Sequence, residues 1–544
     1  MHPHPQDQPT STVSSLLPAD WNAALDVLLI VGEGAGAISQ PFVSHGLRRV
    51  IAMFPPPLTV ETVTEGAMAV SSRGALNRVI NTMTGPEPGR FAMIRTPSCS
   101  LSNEDTEAIR QLTATLLKAK RGNTHIHSEL APRWATNGLH NLTTLGQLPM
   151  VTDIGGAFKG VPMIIVGAGP SLAKNIDQLK AAQGKAIIVC VARALRSLQA
   201  EGVWPDFAIS LDATEVRCHF RDIAAERIPG VMISAASHPE LLELSDTTLL
   251  SYSSNGEADS WMFDPQDGVK EMPSGGSVSC SAMSIGLHWG CSPIVLVGQD
   301  LSFPSGAFYH AGGTDGDTKA VYDAATNTWT LEGYSEDLAH TLRDRIAKVG
   351  MRTGAAEVPG YFGGTVPTNP AFASFRTWFE FTAFDHQTPM FNCTEGGAHI
   401  GGMQHMPLSA VMDDLAPRTV DVRAIIDRVR AAPILIDRNR RYQAKAKHTR
   451  AAIKAAQVLA KRCIQIIDKA ARQPSVLSQL QPIEAKLSAA MKRAFVLNLM
   501  AQDDIRSASA EGREATDLRA SLAASRKLYQ IILDHSSQLI QGAQ

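Results

Sequence analysis

The apolar positions along the chain change character twice. Short, unbroken apolar runs open the sequence. Asp26-Val-Leu-Leu-Ile-Val31 reads as a strand followed by the turn Gly32-Glu-Gly-Ala-Gly36, and Val50-Ile-Ala-Met-Phe54 as a second strand ending at three prolines. From residue 161 the period is strand, turn, helix, strand. Pro162-Met-Ile-Ile-Val166 precedes a helical stretch over Ala168 to Lys180. Lys185 to Val191, Phe207 to Leu211, Val231 to Ser234 and Pro293 to Val297 continue the strands. Runs without polar alternation are what parallel strands covered on both faces require, and their alternation with helices implies right-handed crossovers and a doubly wound sheet. After about residue 411 glycine becomes rare. Ala452, Ala456, Leu459, Cys463, Ile466 and Ala470 recur at alternating spacings of four and three, as do Leu518, Leu522, Ser525, Tyr529 and Ile532. Gln473-Pro474-Ser475 and Gln481-Pro482 break these helices.

The fold class predicted is α/β. A Rossmann-like doubly wound central domain (131–410) lies between a smaller N-terminal α/β domain (19–130) and an all-helical C-terminal domain (411–544), behind a polar, proline-bearing leader (1–18) that reads as disordered. With 544 residues, 44% of them hydrophobic, the chain can bury substantial cores. A net charge of -2 gives no global attraction to nucleic acid or to an anionic membrane, so an anionic ligand must be held by local geometry. The seven cysteines are scattered and never form a Cys-x-x-Cys pair, which fits a reducing compartment. No cationic, apolar signal segment and no run long enough to span a bilayer is present, so the cytoplasm is the expected location.

Four constellations carry chemistry. In Gly167-Ala-Gly169-Pro170-Ser171-Leu172 a strand ends in glycines, proline fits the first helical position, and the helix start would present N–H groups and a hydroxyl to a phosphate; the alternative is a structural turn. Leu172 stands where the dinucleotide fingerprint wants a third small residue. Asp212 ends the strand Phe207 to Leu211, where it would accept from a sugar hydroxyl or cap the segment after it. Gly276-Ser277 opens a second helix, and the next strand ends in Gly298-Gln299-Asp300, so two helix starts would share one sheet edge. His310 follows on a glycine-rich loop, placed to act as a general base, whereas His288 reads as packing beside Trp289. Lastly, Tyr361 and Glu395 lie on glycine-rich loops flanking a helix whose Phe372, Phe375, Trp378 and Phe379 read as core. Glu395, His399 and His405 have no metal-site spacing, so no metal is expected. The turn Gly32 to Gly36 is a second glycine-rich loop with the same two readings. The basic run Arg438 to Arg450 reads as a solvated helix face or a contact for an acidic partner.

Taken in order, Gly167 to Leu172, Pro205-Asp206 before Asp212, Gly298 to Leu301, His310-Ala, Gly360 to Thr365 and Thr394 to Ala398 resemble the central domain of the motility accessory factor (Maf) family, over about residues 130–410. Asn141-Leu142 and Phe158 to Pro162 extend the likeness. The resemblance implies a glycosyltransferase that moves a nonulosonic acid, of pseudaminic or legionaminic type, from its CMP conjugate to Ser or Thr of flagellin, with flagellin as the protein partner. That domain is in turn similar to bacterial sialyltransferases, although Ala168 replaces their usual Asn and His310 matches their catalytic histidine context only loosely. In site terms it implies catalysis by His310, Asp300 or Glu395. Donor binding would fall to Gly167, Gly169, Pro170, Ser171, Asp212, Gly276, Ser277, Gln299 and Tyr361. No cofactor beyond the CMP-sugar substrate is implied. An archaeal pterin diphosphate-forming family resembles the same central domain, which makes an ATP-dependent pyrophosphokinase the alternative enzyme. A non-catalytic flagellin-binding escort is the alternative from outside enzymes.

Overall fold

The computed structural model describes residues 17–18, 20–55, 58–83, 88–214, 216–254, 257–303, 319–332, 352–413, 415, 417, 420–470, 472–513 and 517–542. His310 and the residues of the leader up to 16 lie outside the described residues. Two compact units form. The first takes the chain up to His127 together with Pro370–Gln387 and Ile400–Gly402, and the second takes the remainder.

In the first unit, β1 (Val27–Val31), β2 (Val50–Met53), β3 (Ala67–Val70) and β4 (Phe91–Arg95) form a parallel sheet in the order β3-β2-β1-β4. Its alternate residues feed two cores: Val27, Leu29 and Val31 pack with Ile51 and Phe381 on one face, while Leu28 and Ile30 pack with Val50 and Phe42 on the other. Trp378, Phe379 and Phe381 of the helix Pro370–Asp385 are buried, and Phe372 and Phe375 are half-buried. At the first glycine turn the N–H of Gly34 donates to Glu61 Oε1 at 2.7 Å, so a carboxylate of the protein itself occupies that helix start.

The second unit is built on an eight-stranded sheet. It contains β5 (Met163–Val166), β6 (Ile187–Val191), β7 (Phe207–Ser210), β8 (Gly230–Ser234), β9 (Thr248–Tyr252) and β10 (Ile294–Val297). A three-stranded antiparallel sheet, β11 (Lys319–Asp323), β12 (Thr328–Glu332) and β13 (Arg352–Gly354), and a hairpin, β14 (Ala356–Pro359) with β15 (Thr365–Thr368), follow in the chain. β16 (Met390–Asn392) and β17 (Gln404–His405) then complete the large sheet in the order β17-β16-β10-β5-β6-β7-β8-β9, all parallel. The chain runs outward from β5 to β9 and returns on the other side of β5, so the strand order reverses between β5 and β10. In a Rossmann-like sheet the ligand crevice opens beyond the carboxyl ends of the strands at that reversal.

The helix Val278–Trp289 carries the chain back to β10. Its last residue seals the sheet: Trp289 is fully buried, 5.1 Å from Phe158 and 5.2 Å from Phe207 by ring centroids, and its indole N–H donates to the Val151 carbonyl. The single helix expected over Ala168 to Lys180 is instead a 3-10 segment, Pro170–Asn175, followed by a short α-helix, Ile176–Ala182. The Ser171 N–H, one of the first-turn donors that a helical segment leaves unpaired, goes to the Asp300 carboxylate.

The helices Ile434–Ala470 and Leu518–Gly542 carry the two expected periodic stretches, although Leu518 itself is exposed, and Leu480–Arg493 and Phe495–Arg513 lie between them. Gln481-Pro482 falls in the first turn of Leu480–Arg493, where proline is tolerated, and does not break a helix. Ala452, Ala456, Cys463, Ile466, Tyr529 and Ile532 are buried in a core that continues into Leu139, Leu142, Ala235 and Met262. One ion-pair network fastens the long helix. Arg438 is completely buried; Nη1 and Nη2 donate to the two Asp153 carboxylate oxygens at 2.7 and 2.9 Å, and Nε to Asp267 at 3.3 Å. Tyr442 donates its hydroxyl to the other Asp267 oxygen. Of the basic run, Arg438 and Arg441 thus turn inward, while Arg440, Lys447 and Arg450 are exposed.

Removing one member of a buried ion network leaves a desolvated charge without compensation. Arg438→Ala is expected to destabilise the second unit by about 3–5 kcal/mol, read as an earlier transition in guanidinium unfolding. A loss under about 1 kcal/mol, the range of a surface pair, would show that the network does not hold the helix.

Candidate functional site at the sheet switch point

The register aligns Val166 with Val297, so β5 and β10 end side by side. Backbone then meets backbone: the Gly167 N–H donates to the Val297 carbonyl, and the Gly169 N–H to the Gly298 carbonyl at 2.9 Å. A Cβ on Gly167 would collide with Gln299, and one on Gly169 with the Asp300 carboxylate, so glycine is demanded here by proximity. The outcome is a seat for Asp300. Its Oδ2 accepts from Ser171 Oγ at 2.7 Å and from Ser171 N at 3.3 Å, in a place where Asp300 is 7% exposed. Burial pushes this carboxyl up to about 6, against the Ser171 hydrogen bonds and the nearby Lys174 charge, which pull it down.

Gln299 links three elements. Its backbone N–H donates to Thr394 Oγ1, just past β16, and its side-chain Nε2 to Ser279 Oγ at 2.7 Å, in the first turn of the helix Val278–Trp289. Gly276, with φ of 88°, makes the turn into that helix, and Ser277 is its N-cap residue, although its hydroxyl does not bond a first-turn N–H. Both expected segment starts therefore converge on the end of β10.

Glu395 is fixed on the same edge in a left-handed conformation, φ 56°. Its Oε1 accepts from Asn175 Nδ2 at 2.7 Å and from the Leu408 N–H, and its backbone carbonyl accepts from Lys174 Nζ. Tyr361 is a brace: its N–H bonds the Gly397 carbonyl, and its hydroxyl donates toward the carbonyls of Asn392 and Met406. Burial raises that phenol to about 12. Buried Asn175 Oδ1 and Asn392 Nδ2 have no hydrogen-bond partner among the described residues, and buried polar atoms in that state call for a ligand or water.

Asp212 lies beyond β7. Its side chain is open to solvent, yet the surrounding protein desolvates it and raises its carboxyl above the ordinary value, with the Arg193 charge pulling the other way. The next helical turn is capped at Val216, so Asp212 does not serve as its cap. Its backbone carbonyl accepts instead from the His238 N–H.

Among the described residues, no three His, Cys, Asp or Glu side chains gather as a metal site. His399 and His405 stack at 4.1 Å, and desolvation together with the His399 charge lowers His405 to about 4. All seven cysteines are unpaired. Of residues not singled out from sequence, Lys174, Asn175, Arg193 and Ser279 belong to this edge, joined by Thr394 from the motif Thr394 to Ala398. Arg193 sits immediately past the strand that ends at Val191, and the strand-end rule would have found it.

Residues 136–306 match the family model described as 6-hydroxymethylpterin diphosphokinase MptE-like. Among solved structures, the chain is similar to one titled as a MAf glycosyltransferase from Magnetospirillum magneticum AMB-1, at 16% identity and a TM-score of 0.45, over 95% of this chain and 78% of that one. No curated protein matches the sequence. Among the described residues, no helix is long and apolar enough to cross a membrane.

Asp300 supplies a pH test of the cluster. Its folded pKa, about 6, lies above the ordinary 3.8, so the fold holds this proton more tightly than the unfolded chain does. That advantage is complete below pH 3.8 and is lost as pH rises through 6, a penalty of up to about 3 kcal/mol at neutral pH. Asp300→Asn keeps an acceptor for Ser171 and should raise the melting temperature at pH 7.5 while changing it little at pH 4. An equal shift at both values would place the cause outside this carboxyl.

Proposed function

We propose that this chain is a cytoplasmic glycosyltransferase. It moves a nonulosonic acid of pseudaminic or legionaminic type from CMP to Ser or Thr hydroxyls of flagellin, a modification needed for flagellum assembly and motility. The observation that carries this reading is the convergence of Ser171, Asp300, Gln299 and the Ser277 helix start on one sheet reversal, in the motif order that resembles the Maf family. Thr394, Glu395 and Tyr361 supply the rest of the edge and lie beyond the segment 136–306 shared with the diphosphokinase-like model.

In this reading Gly167, Gly169, Pro170 and Ser171 with Gly276 and Ser277 hold the CMP phosphate, while Gln299, Asp212 and Tyr361 shape the cleft for the sugars. The bond between the anomeric carbon and the phosphate oxygen breaks through an oxocarbenium-like state. CMP leaves with the electron pair, and hydrogen-bond donors with the helix dipole stabilise it. The acceptor oxygen bonds to the anomeric carbon and its proton passes to a base. His310, Asp300 and Glu395 are the three groups for that role. A carboxylate raised to about 6 is ionised at neutral pH and more basic than an ordinary one. The reading requires no metal or other cofactor.

Incubation with a CMP-nonulosonic acid and its cognate flagellin should add the sugar mass to flagellin. With Asp300 as base, kcat/KM falls as pH drops through 6, and Asp300→Asn lowers kcat about 10²–10⁴-fold without that pH step. Full transfer by His310→Ala would remove that residue from the base role. Absence of any transfer from the CMP-sugar would sink the reading.

The match over residues 136–306 favours a second reading, an ATP-dependent pyrophosphokinase acting on a pterin-like alcohol. Thermal shifts with CMP, CDP, ATP and GDP separate the two. Stabilisation by ATP with magnesium, and release of AMP when a pterin alcohol is added, would replace the first reading with the second.

A further inference from the structure

We propose that the trough between the helices Ile434–Ala470 and Leu480–Arg493 is a docking site for an acidic, amphipathic segment of a partner protein. The trough encloses about 860 Å³ and lies apart from the residues of the switch-point edge. One wall is Trp261, whose ring is stacked on Phe495 from behind at 6.1 Å. The floor is a face of the long helix where Ala444, Ala451 and Ala455 are exposed, so that another backbone can approach closely.

Charge selects the occupant. The trough is lined by Arg441, Lys445, His448 and Arg493 against one carboxylate, Asp264. Asp264 is already paired with Arg441, at 3.1 Å, and Arg441 also engages Asp267 and Asp437. The bonds made by the other two permanent cations go to neutral oxygens: Lys445 Nζ donates to the carbonyls of Trp261 and Phe263, and Arg493 Nε to the carbonyl of Ala489 in its own helix. Lys445 also lies 5.3 Å from the centre of the Trp261 ring. Desolvation lowers its ammonium below the ordinary value, against the nearby Asp264 and Asp267 charges, which raise it. Carboxylates at the rim with apolar side chains against Trp261 and the alanines complete both halves of this surface, which is the helix-in-groove mode of recognition. The exposed Ala444, Ala451 and Ala455 follow one another along a single helix face, which suits a segment laid against that face better than a small molecule enclosed on all sides.

The test uses the full chain and a fluorescein-labelled peptide of Leu and Glu at helical spacing, with a Lys-for-Glu counterpart, read by fluorescence anisotropy. The acidic peptide is expected to bind more tightly than the basic one, and added salt should weaken it. Arg493→Glu, at an exposed position, should weaken it about tenfold or more, and Ala455→Trp should block the floor. Far-UV circular dichroism and an unchanged melting temperature establish that both variants fold. Equal affinity for the two peptides overturns the proposal, as does indifference to both substitutions. Arg493-dependent binding of naphthalene sulfonate without peptide binding would assign the trough to a small organic anion and equally overturn it.

Discussion

The second unit is organised by one close approach, the meeting of β5 and β10 with no side chain between their continuations. Gly167, Gly169 and Gly298 allow the two loops to hydrogen-bond through their backbones, and that contact drives the Asp300 carboxylate over Ser171. The arrangement is costly, since a carboxylate at 7% exposure loses most of its hydration and recovers only part of it from one hydroxyl and one N–H. A pKa near 6 is the measure of that imbalance. Structure-stabilising carboxylates are ordinarily shifted the other way, so a carboxyl held at a cost in a crevice beyond the strand ends is the kind of feature that marks working sites.

The helical segment is not an appendage to this sheet. Its core is continuous with Leu139, Leu142 and Met262, and Arg438 reaches Asp153 and Asp267 through three donated hydrogen bonds. A buried ion network of this kind contributes less net stability than its distances suggest, because desolvation offsets the attraction. What it does impose is position: a long helix whose only fully buried arginine must meet two particular carboxylates cannot slide by a turn without stranding all three charges. Trp261 and the alanine face of that helix are thereby held in one relation to each other.

Much of this was legible in the residues. The strands that became β1, β2, β5 to β8 and β10 are unbroken apolar runs, and parallel strands covered on both faces write that pattern directly. Of the helices after residue 434, Ile434–Ala470 and Leu518–Gly542 declare themselves by spacing. Other elements did not. Phe91–Arg95, Met390–Asn392 and Gln404–His405 are short or mixed in polarity, and they are strands because neighbouring strands give them partners. The stretch after Gly169 has helical composition, yet its first half is a 3-10 segment, a distinction that composition does not carry. In the site, glycines flagged a close approach correctly, but sequence alone could not tell whether a ligand or the protein itself would make that approach. Arg438 reads, with its neighbours, as part of a solvated basic face or a contact for an acidic partner, since nothing local reveals that Asp153 and Asp267, far back in the chain, converge on it.

The two glycine turns show how a phosphate-like turn is to be weighed. At each, a helical segment begins after glycines, and at each a side-chain carboxylate already receives an N–H: Glu61 at Gly34 and Asp300 at Ser171. A turn that has captured a carboxylate of its own chain is satisfied, and an incoming phosphate must displace that group or bind beside it. Displacement or neutralisation is easier at Asp300. Its carboxyl already stands near 6, so the approach of a second anion, which raises a carboxyl further, brings it to the neutral form at the pH of the cell with little additional free energy. Once neutral, Asp300 no longer repels the phosphate, and the Ser171 hydroxyl is free to turn toward it. In the proposed reaction, a phosphate held at this turn would therefore compete with a base role for Asp300. Glu395, held by Asn175 and the Leu408 N–H on the same edge, is the other described carboxylate among the proposed bases.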